Sequence, residues 1–203
     1  MAIKPGERRL QILQALAQML ETPKGEKITT AALAARLECS EAALYRHFAS
    51  KAQMFEGLIE FIEQSLFGVI NQITSDEAQG LKQVESILGL LLSFAQKNRG
   101  MTRVLIGDAL VNENERLQGR INALLDKIEA ALKQALRIAA TQDPMKPDAD
   151  FAALANLLRC YVVGRWEQYA RSSFHREPLA QWPQQWPMLY FACLSQSGAP
   201  VTA

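Results

Sequence analysis

Apolar residues recur along this chain at intervals of three and four, the period of an α-helix, and no stretch alternates convincingly as a strand does. Leu10, Leu13, Leu16, Ala17 and Leu20 form one stripe, which predicts a first helix over 7–21, ended by Pro23-Lys24-Gly25. Thr29 or Thr30 is expected to cap a short helix running through Leu37. Ser40 caps another over 41–47, with Glu41 against its positive end, and Ser50 a long one over 51–73. A polar break over 75–80 precedes a helix over 81–97, which Asn98-Arg99-Gly100 stops. A short segment over 101–110 leads to a long helix over 112–140. Charge alternates along that helix (Glu113, Arg116, Arg120, Asp126, Lys127, Glu129, Lys133), so it is expected to project as a helical hairpin arm. A loop over 141–150, helices over 150–172 and 183–195, and a frayed tail over 196–203 complete the chain. The expectation is an all-α protein: a three-helix head over 1–50 and a helical body over 51–203.

The head carries the most informative segment, Ile28 to Lys51. Two short helices flank a three-residue turn, Glu38-Cys39-Ser40, and Leu33, Ala34, Leu37, Leu44 and Phe48 supply the apolar contacts that lock them at a steep angle. Ala42 and Ala43 keep the second helix slim enough for a major groove about 12 Å wide. Tyr45, Arg46, His47 and Lys51 put donors where phosphates would lie, and Thr29, Thr30, Ser40, Glu41, Ala42 and Ala43 complete the candidate DNA-binding set, with Thr30, Ser40 and Glu41 to Ala43 nearest base edges.

The pattern Thr-x3-Leu-Ala-x5-Ser-x3-Leu-Tyr-x-His-Phe-x-Ser-Lys, spanning Thr29 to Lys51, resembles the signature of the TetR family of regulators. Glu38 stands where that family usually has glycine, and Ala49 where it often has proline. Ser40-Glu-Ala-Ala-Leu-Tyr-Arg-His-Phe, Leu58-Ile-Glu-Phe-Ile-Glu and Arg116-Leu-Gln-Gly-Arg-Ile-Asn resemble a divergent, nucleoid-occluding branch of the family, over about 8–140. That resemblance implies a TetR-like fold and a homodimer that binds double-stranded DNA at palindromic sites scattered on the chromosome. It also implies a second partner, the tubulin-like division GTPase FtsZ, whose assembly the bound protein blocks. The alternative within the same fold is a ligand-responsive repressor; a small-molecule effector is not the expectation here.

Helical geometry bears on the partner independently. After Lys51 the stripe is Met54, Phe55, Leu58, Ile62, Leu66, Val69 and Ile73, and Phe61 and Phe67 fall off its centre. On the next helix Leu81, Val84, Leu88, Leu91, Leu92 and Ala95 form the stripe, and Leu90 points away, beside Ser86, Ser93 and Lys97. Phe61, Leu90, Lys97 and Asn98 are the candidate partner-binding residues; central burial on both sides is the competing explanation for Leu90. The resemblance implies the same two helices and the groove beside them, with Val69 where a basic residue is expected. The last two helices carry Phe151, Leu154, Leu158, Tyr161, Val162, Trp166 and Tyr169, then Trp186, Leu189, Tyr190 and Cys193. That is more apolar surface than one body should expose, so they are expected to pack against a twin as a four-helix interface.

Composition sharpens this picture. The chain has 203 residues, 49% hydrophobic, enough for a real core. Residues 1–51 hold 8 Lys+Arg against 5 Asp+Glu, and residues 52–203 hold 14 against 16, so a basic head sits on a slightly acidic body. No apolar run reaches the roughly 18 residues of a membrane span, and no secretory signal is visible, so a cytoplasmic, nucleoid-associated protein is expected. Cys39, Cys160 and Cys193 lie far apart and read as reduced thiols, without metal-ligand spacing. His175 reads as an exposed polar residue, and Trp182 and Trp186, four apart on one helical face, as core or dimer packing residues, with the lining of a ligand pocket as the alternative. No H-E-x-x-H, G-x-S-x-G, G-x-G-x-x-G or Walker A pattern occurs and no carboxylate pair stands out, so neither a catalytic site nor a cofactor is expected.

Overall fold

The computed structural model describes residues 6–22, 28–142 and 149–194. The Pro23-Lys24-Gly25 stop, most of the 141–150 loop and the 196–203 tail fall outside them. After α1 (Glu7–Met19), three hydroxyl caps start the next helices. Thr29 Oγ1 accepts from the Ala32 amide at 3.1 Å ahead of α2 (Thr30–Arg36). Ser40 Oγ accepts from Ala43 at 3.3 Å ahead of α3 (Glu41–Tyr45), and Ser50 Oγ from Gln53 at 3.2 Å ahead of α4 (Lys51–Asp76). Each satisfies an amide that would otherwise lack an intrahelical partner.

The remaining elements are α5 (Gly80–Lys97), α6 (Arg99–Leu105), a 3₁₀ turn (Asp108–Leu110), α7 (Arg116–Gln142), α8 (Phe151–Arg171) and α9 (Trp182–Leu194). Among the described residues all regular structure is helical. Asn98 ends α5 as expected, but the chain re-enters a helix at once. At the joint the Thr102 hydroxyl shares its one proton between the carbonyls of Ala95 and Asn98, at 2.9 and 3.0 Å.

α5 is the axis of the body. Val84, Ile87, Leu88, Leu91, Leu92 and Ala95 are wholly buried against α4, α7 and α8, and the Trp166 indole of α8 donates to the Leu91 carbonyl at 3.0 Å. On α4 the buried stripe turns to Ile70, leaving Val69 41% exposed, contrary to its assignment to the stripe.

α7 does not project. Leu117, Ile121, Leu124, Ile128, Leu132, Ala135, Leu136 and Ala139 are buried along its whole length against α4, α5 and α8. Its alternating charges mark only the solvated edge, where Arg116 pairs with Glu56 at 2.8 Å, Lys127 with Glu63, and Glu129 with Arg159 at 2.9 Å.

The expected dimer residues need a similar correction. Leu154, Leu158, Val162, Trp166, Tyr169 and Cys193 are buried within their own chain. The apolar groups that α8 and α9 turn outward are Leu157, Met188, Tyr190 and Phe191, at 50%, 69%, 38% and 68% exposure. Trp182 and Trp186 stack at 5.4 Å, and Tyr190 meets Trp186 edge-on at 5.8 Å.

Head and body share one core running from Ile12 to Cys193. Gly100 of α6 lies so close to α1 that a Cβ there would stand 1.8 Å from the Ala17 carbonyl oxygen. Beside it the Arg103 guanidinium donates to the carbonyls of Leu20 and Thr22 at 3.2 and 3.0 Å, satisfying the end of α1, and pairs with Asp108 at 2.6 Å. α6 and the end of α1 are thus in direct contact.

Candidate functional site

The α2–α3 unit is held by its turn. Glu38 takes the left-handed conformation, φ 50°, that glycine usually supplies. The Cys39 amide donates to the Ala34 carbonyl at 3.0 Å and the Glu38 amide to Ala35 at 3.1 Å, the paired bonds that close a helix on a left-handed residue. The departure from glycine thus leaves the turn's shape intact, at a cost of roughly 1 kcal/mol. Leu33, Ala34, Leu44 and Phe48 are buried beneath it.

Outward from that core stand the sequence-predicted contacts. Thr29, Ser40, Glu41, Ala42, Tyr45, Arg46 and His47 are exposed; Thr30, Ala43 and Lys51 are half-buried. Thr29 and Ser40 spend their side chains on caps. Thr30 Oγ1 donates to Glu41 Oε2 and accepts from the Tyr45 hydroxyl at 3.4 Å, so one chain of bonds ties α2 to both ends of α3. Lys51, expected to reach a phosphate, is engaged within its own chain. Its ammonium is paired with Glu113, in the irregular segment before α7, and lies 5.7 Å from the Phe55 ring centroid.

Arg9 was not among the sequence-predicted residues. Its guanidinium sits 4.3 Å over the Phe48 ring and donates to the His47 carbonyl at 3.3 Å, adding a cation beside the end of α3. The signal was available: Arg8 and Arg9 sit in the first turn of α1, where the helix dipole disfavours positive charge.

The candidate partner residues divide. Phe61 and Asn98 line one groove of about 440 Å³ together with Gln14, Ala17, Gln18, Glu21, Gly100 and Met101. It is walled by α1 on one side and by α4 and the α5–α6 joint on the other. Asn98 Nδ2 donates to the Phe94 carbonyl at 2.8 Å, which fixes its side chain at the rim. Leu90 and Lys97 are not among that groove's lining residues. Leu90 is half-buried and packs against the core, and Lys97 is exposed. No described helix is long and apolar enough to cross a membrane.

Residues 12–58 match the bacterial regulatory proteins, tetR family, and residues 78–193 the SlmA-like tetracyclin repressor-like, C-terminal domain. The chain is 51% identical over 189 residues to the nucleoid occlusion factor SlmA of Marinomonas sp., covering 93% of this chain and 96% of that one. To the nucleoid occlusion factor SlmA of Shewanella amazonensis it is 54% identical over 179 residues, covering 88% and 91%. Among solved structures, a TetR transcription regulator from Haloarcula marismortui superposes with a TM-score of 0.78 at 15% identity, covering 93% of this chain and 98% of that one. The fatty acid degradation regulator FadR from Bacillus halodurans superposes with a TM-score of 0.77 at 13% identity, covering 92% and 96%. These two likenesses concern the fold.

Proposed function

This chain belongs to the tetR family of bacterial regulatory proteins and, within it, to the nucleoid occlusion factors named SlmA, and from that premise we propose that it holds chromosomal palindromes and, while bound, blocks assembly of FtsZ. It is a DNA-binding regulator, not an enzyme, and regulators of its family act as homodimers. The outward apolar groups of α8 and α9 suit the two-fold contact. Two heads so joined address half-sites about 34–36 Å apart, or a multiple of it. Bound to such sites, the protein works at the nucleoid.

The observation that carries the second half of the proposal is the groove containing Phe61 and Asn98. One wall belongs to the head and the other to the body, so a peptide of FtsZ seated there feels how the head is held, and DNA binding and FtsZ binding are linked. Leu90 and Lys97 do not line the groove, and on this reading they would extend the partner surface along α5. A ligand-gated repressor needs instead an apolar chamber in the body; here Trp166, Leu88, Leu91 and Leu92 fill the centre with side chains.

The test is FtsZ assembly, followed by light scattering and sedimentation with GTP, the purified protein and a duplex carrying a selected palindrome. Assembly should fall when protein and palindrome are both present, and much less with a scrambled duplex. Unaltered assembly in the presence of a protein that binds its palindrome would refute the division-inhibitor reading and leave a DNA-binding regulator.

A further inference from the structure

α3, the helix read as entering the major groove, begins with a carboxylate, which is an odd group to present to a polyanion. Glu41 is exposed at the first position of α3, in a head where cations outnumber anions. Against the phosphate backbone it would be repelled. The bond from Thr30 adds little stability, because it joins side chains that water also serves. What the bond does is fix direction. Thr30 Oγ1 donates to Oε2 while accepting from the Tyr45 hydroxyl, so the hydroxyl proton of Thr30 is committed to Glu41. Oε1 is left as an aimed acceptor.

A carboxylate at neutral pH has acceptors only. In the major groove guanine offers N7 and O6, both acceptors, and thymine offers O4 and a methyl group. Adenine pairs its N6 amino donor with the N7 acceptor beside it. Cytosine alone offers a donor, its N4 amino group, without an acceptor on its own edge. Guanine, thymine and adenine each set a lone pair against Glu41.

Resting on the reading that this head enters the major groove, we propose that Glu41 is a specificity-determining residue that selects cytosine at one position of each half-site, with Thr30 and Tyr45 as its positioning residues. The negative charge then works by rejecting three bases as much as by accepting one.

The experiment uses the full-length dimer and palindromic duplexes that it selects from a random pool. Affinities for every single-base-pair variant of the half-site are measured at one salt concentration. The wild-type protein should prefer cytosine at one position by about tenfold. Glu41→Gln keeps the shape and supplies an amide that matches adenine N7 and N6, so the preference at that position should move from cytosine to adenine. Thr30→Val removes the hydroxyl but not the bulk and should flatten the same preference. A Glu41→Gln profile identical to wild type, with all affinities scaled by one factor, would overturn the proposal and leave Glu41 as an interhelical link. Failure of the wild-type protein to enrich any palindrome would sink the parent reading instead. Both residues are outside the core, and matching thermal melts of the variants confirm that the comparison is between folded proteins.

Discussion

Lys51, the first residue of α4, is paired with Glu113 in the segment that leads into α7, so a cation expected on DNA is held by the body. Both side chains are mostly covered, at 22% and 15% exposure. Asn112, next to Glu113, sits at φ 67°, the left-handed conformation that asparagine adopts more readily than other non-glycine residues. On the proposed reading a phosphate reaching Lys51 would have to compete with Glu113, which would link DNA contact to the body.

Replacing Lys51 by alanine should weaken binding to all duplexes alike and lower the slope of log K against log salt by about 0.9, the contribution of one phosphate. Glu113→Gln should do the opposite to affinity, tightening DNA binding by roughly twofold to fivefold, the worth of a partly exposed ion pair. Titration of labelled duplex against both variants checks this. Weaker binding by Glu113→Gln would mean that the pair persists on DNA and serves to orient Lys51.

Alkali should loosen α9 against the body through a buried thiol. Burial pushes Cys193 up from 9.0 to about 11, and burial likewise raises Tyr161, partly offset by Arg165. The folded state favours the neutral thiol, so its contribution is fully present below the unfolded value near 9 and is lost as pH rises toward 11. The loss is of order 2 kcal/mol. Urea melts at a series of pH values, on wild type and Cys193→Ala, measure it: the stability gap between them should narrow through this window. A constant gap would show that Cys193 does not titrate there.

The head was largely legible in the sequence because its signals are local. The caps at Thr29, Ser40 and Ser50 fall where hydroxyls precede helical periodicity, and Glu38 has the left-handed backbone that the turn requires. What sequence could not supply was tertiary. Charge alternation on α7 says that one face meets water, not whether the other meets its own body or nothing. The stripe of α8 is apolar whether it is covered by α5 and α7 or by a twin. Lys51 and Glu113 lie 62 positions apart, and no periodicity reports such a pair. Phe61 and Asn98 share a groove only because α1 packs beside α4 and α6.

The twin should meet the outward face of α8 and α9. Leu157 and Phe191 are 50% and 68% exposed in the single chain, so charging them disturbs little of its own core. Leu157→Glu with Phe191→Glu should sediment as a folded monomer at micromolar concentration and lose tight binding to palindromes, since each head alone holds one half-site. A dimeric double variant would move the contact elsewhere. By contrast Leu158→Glu, at 1% exposure, should destabilise the fold by several kcal/mol.

The partner surface makes the sharpest division between its residues. Phe61 lines the groove and is half-buried, so Phe61→Ala should cost about 1–2 kcal/mol, less than a core phenylalanine, while removing the groove's aromatic contact. Lys97 is exposed, and Lys97→Asp should leave the melting temperature almost unchanged. Both variants should still dimerise and bind the palindrome, yet lose at least tenfold in their inhibition of FtsZ assembly. Leu90 stands between the two cases. It packs against the core with part of its surface open, so Leu90→Glu buries a carboxylate only in part and should cost about 1–3 kcal/mol. If Leu90→Glu binds DNA, melts as one folded species and fails against FtsZ, the surface runs along α5 from the groove. If it inhibits normally while Phe61→Ala does not, the contact ends at the groove. Folded Phe61→Ala and Lys97→Asp proteins that both inhibit as well as wild type would remove α4 and α5 from the partner surface altogether. The linkage between head and body would then have to run through Arg103 and Gly100 to another face.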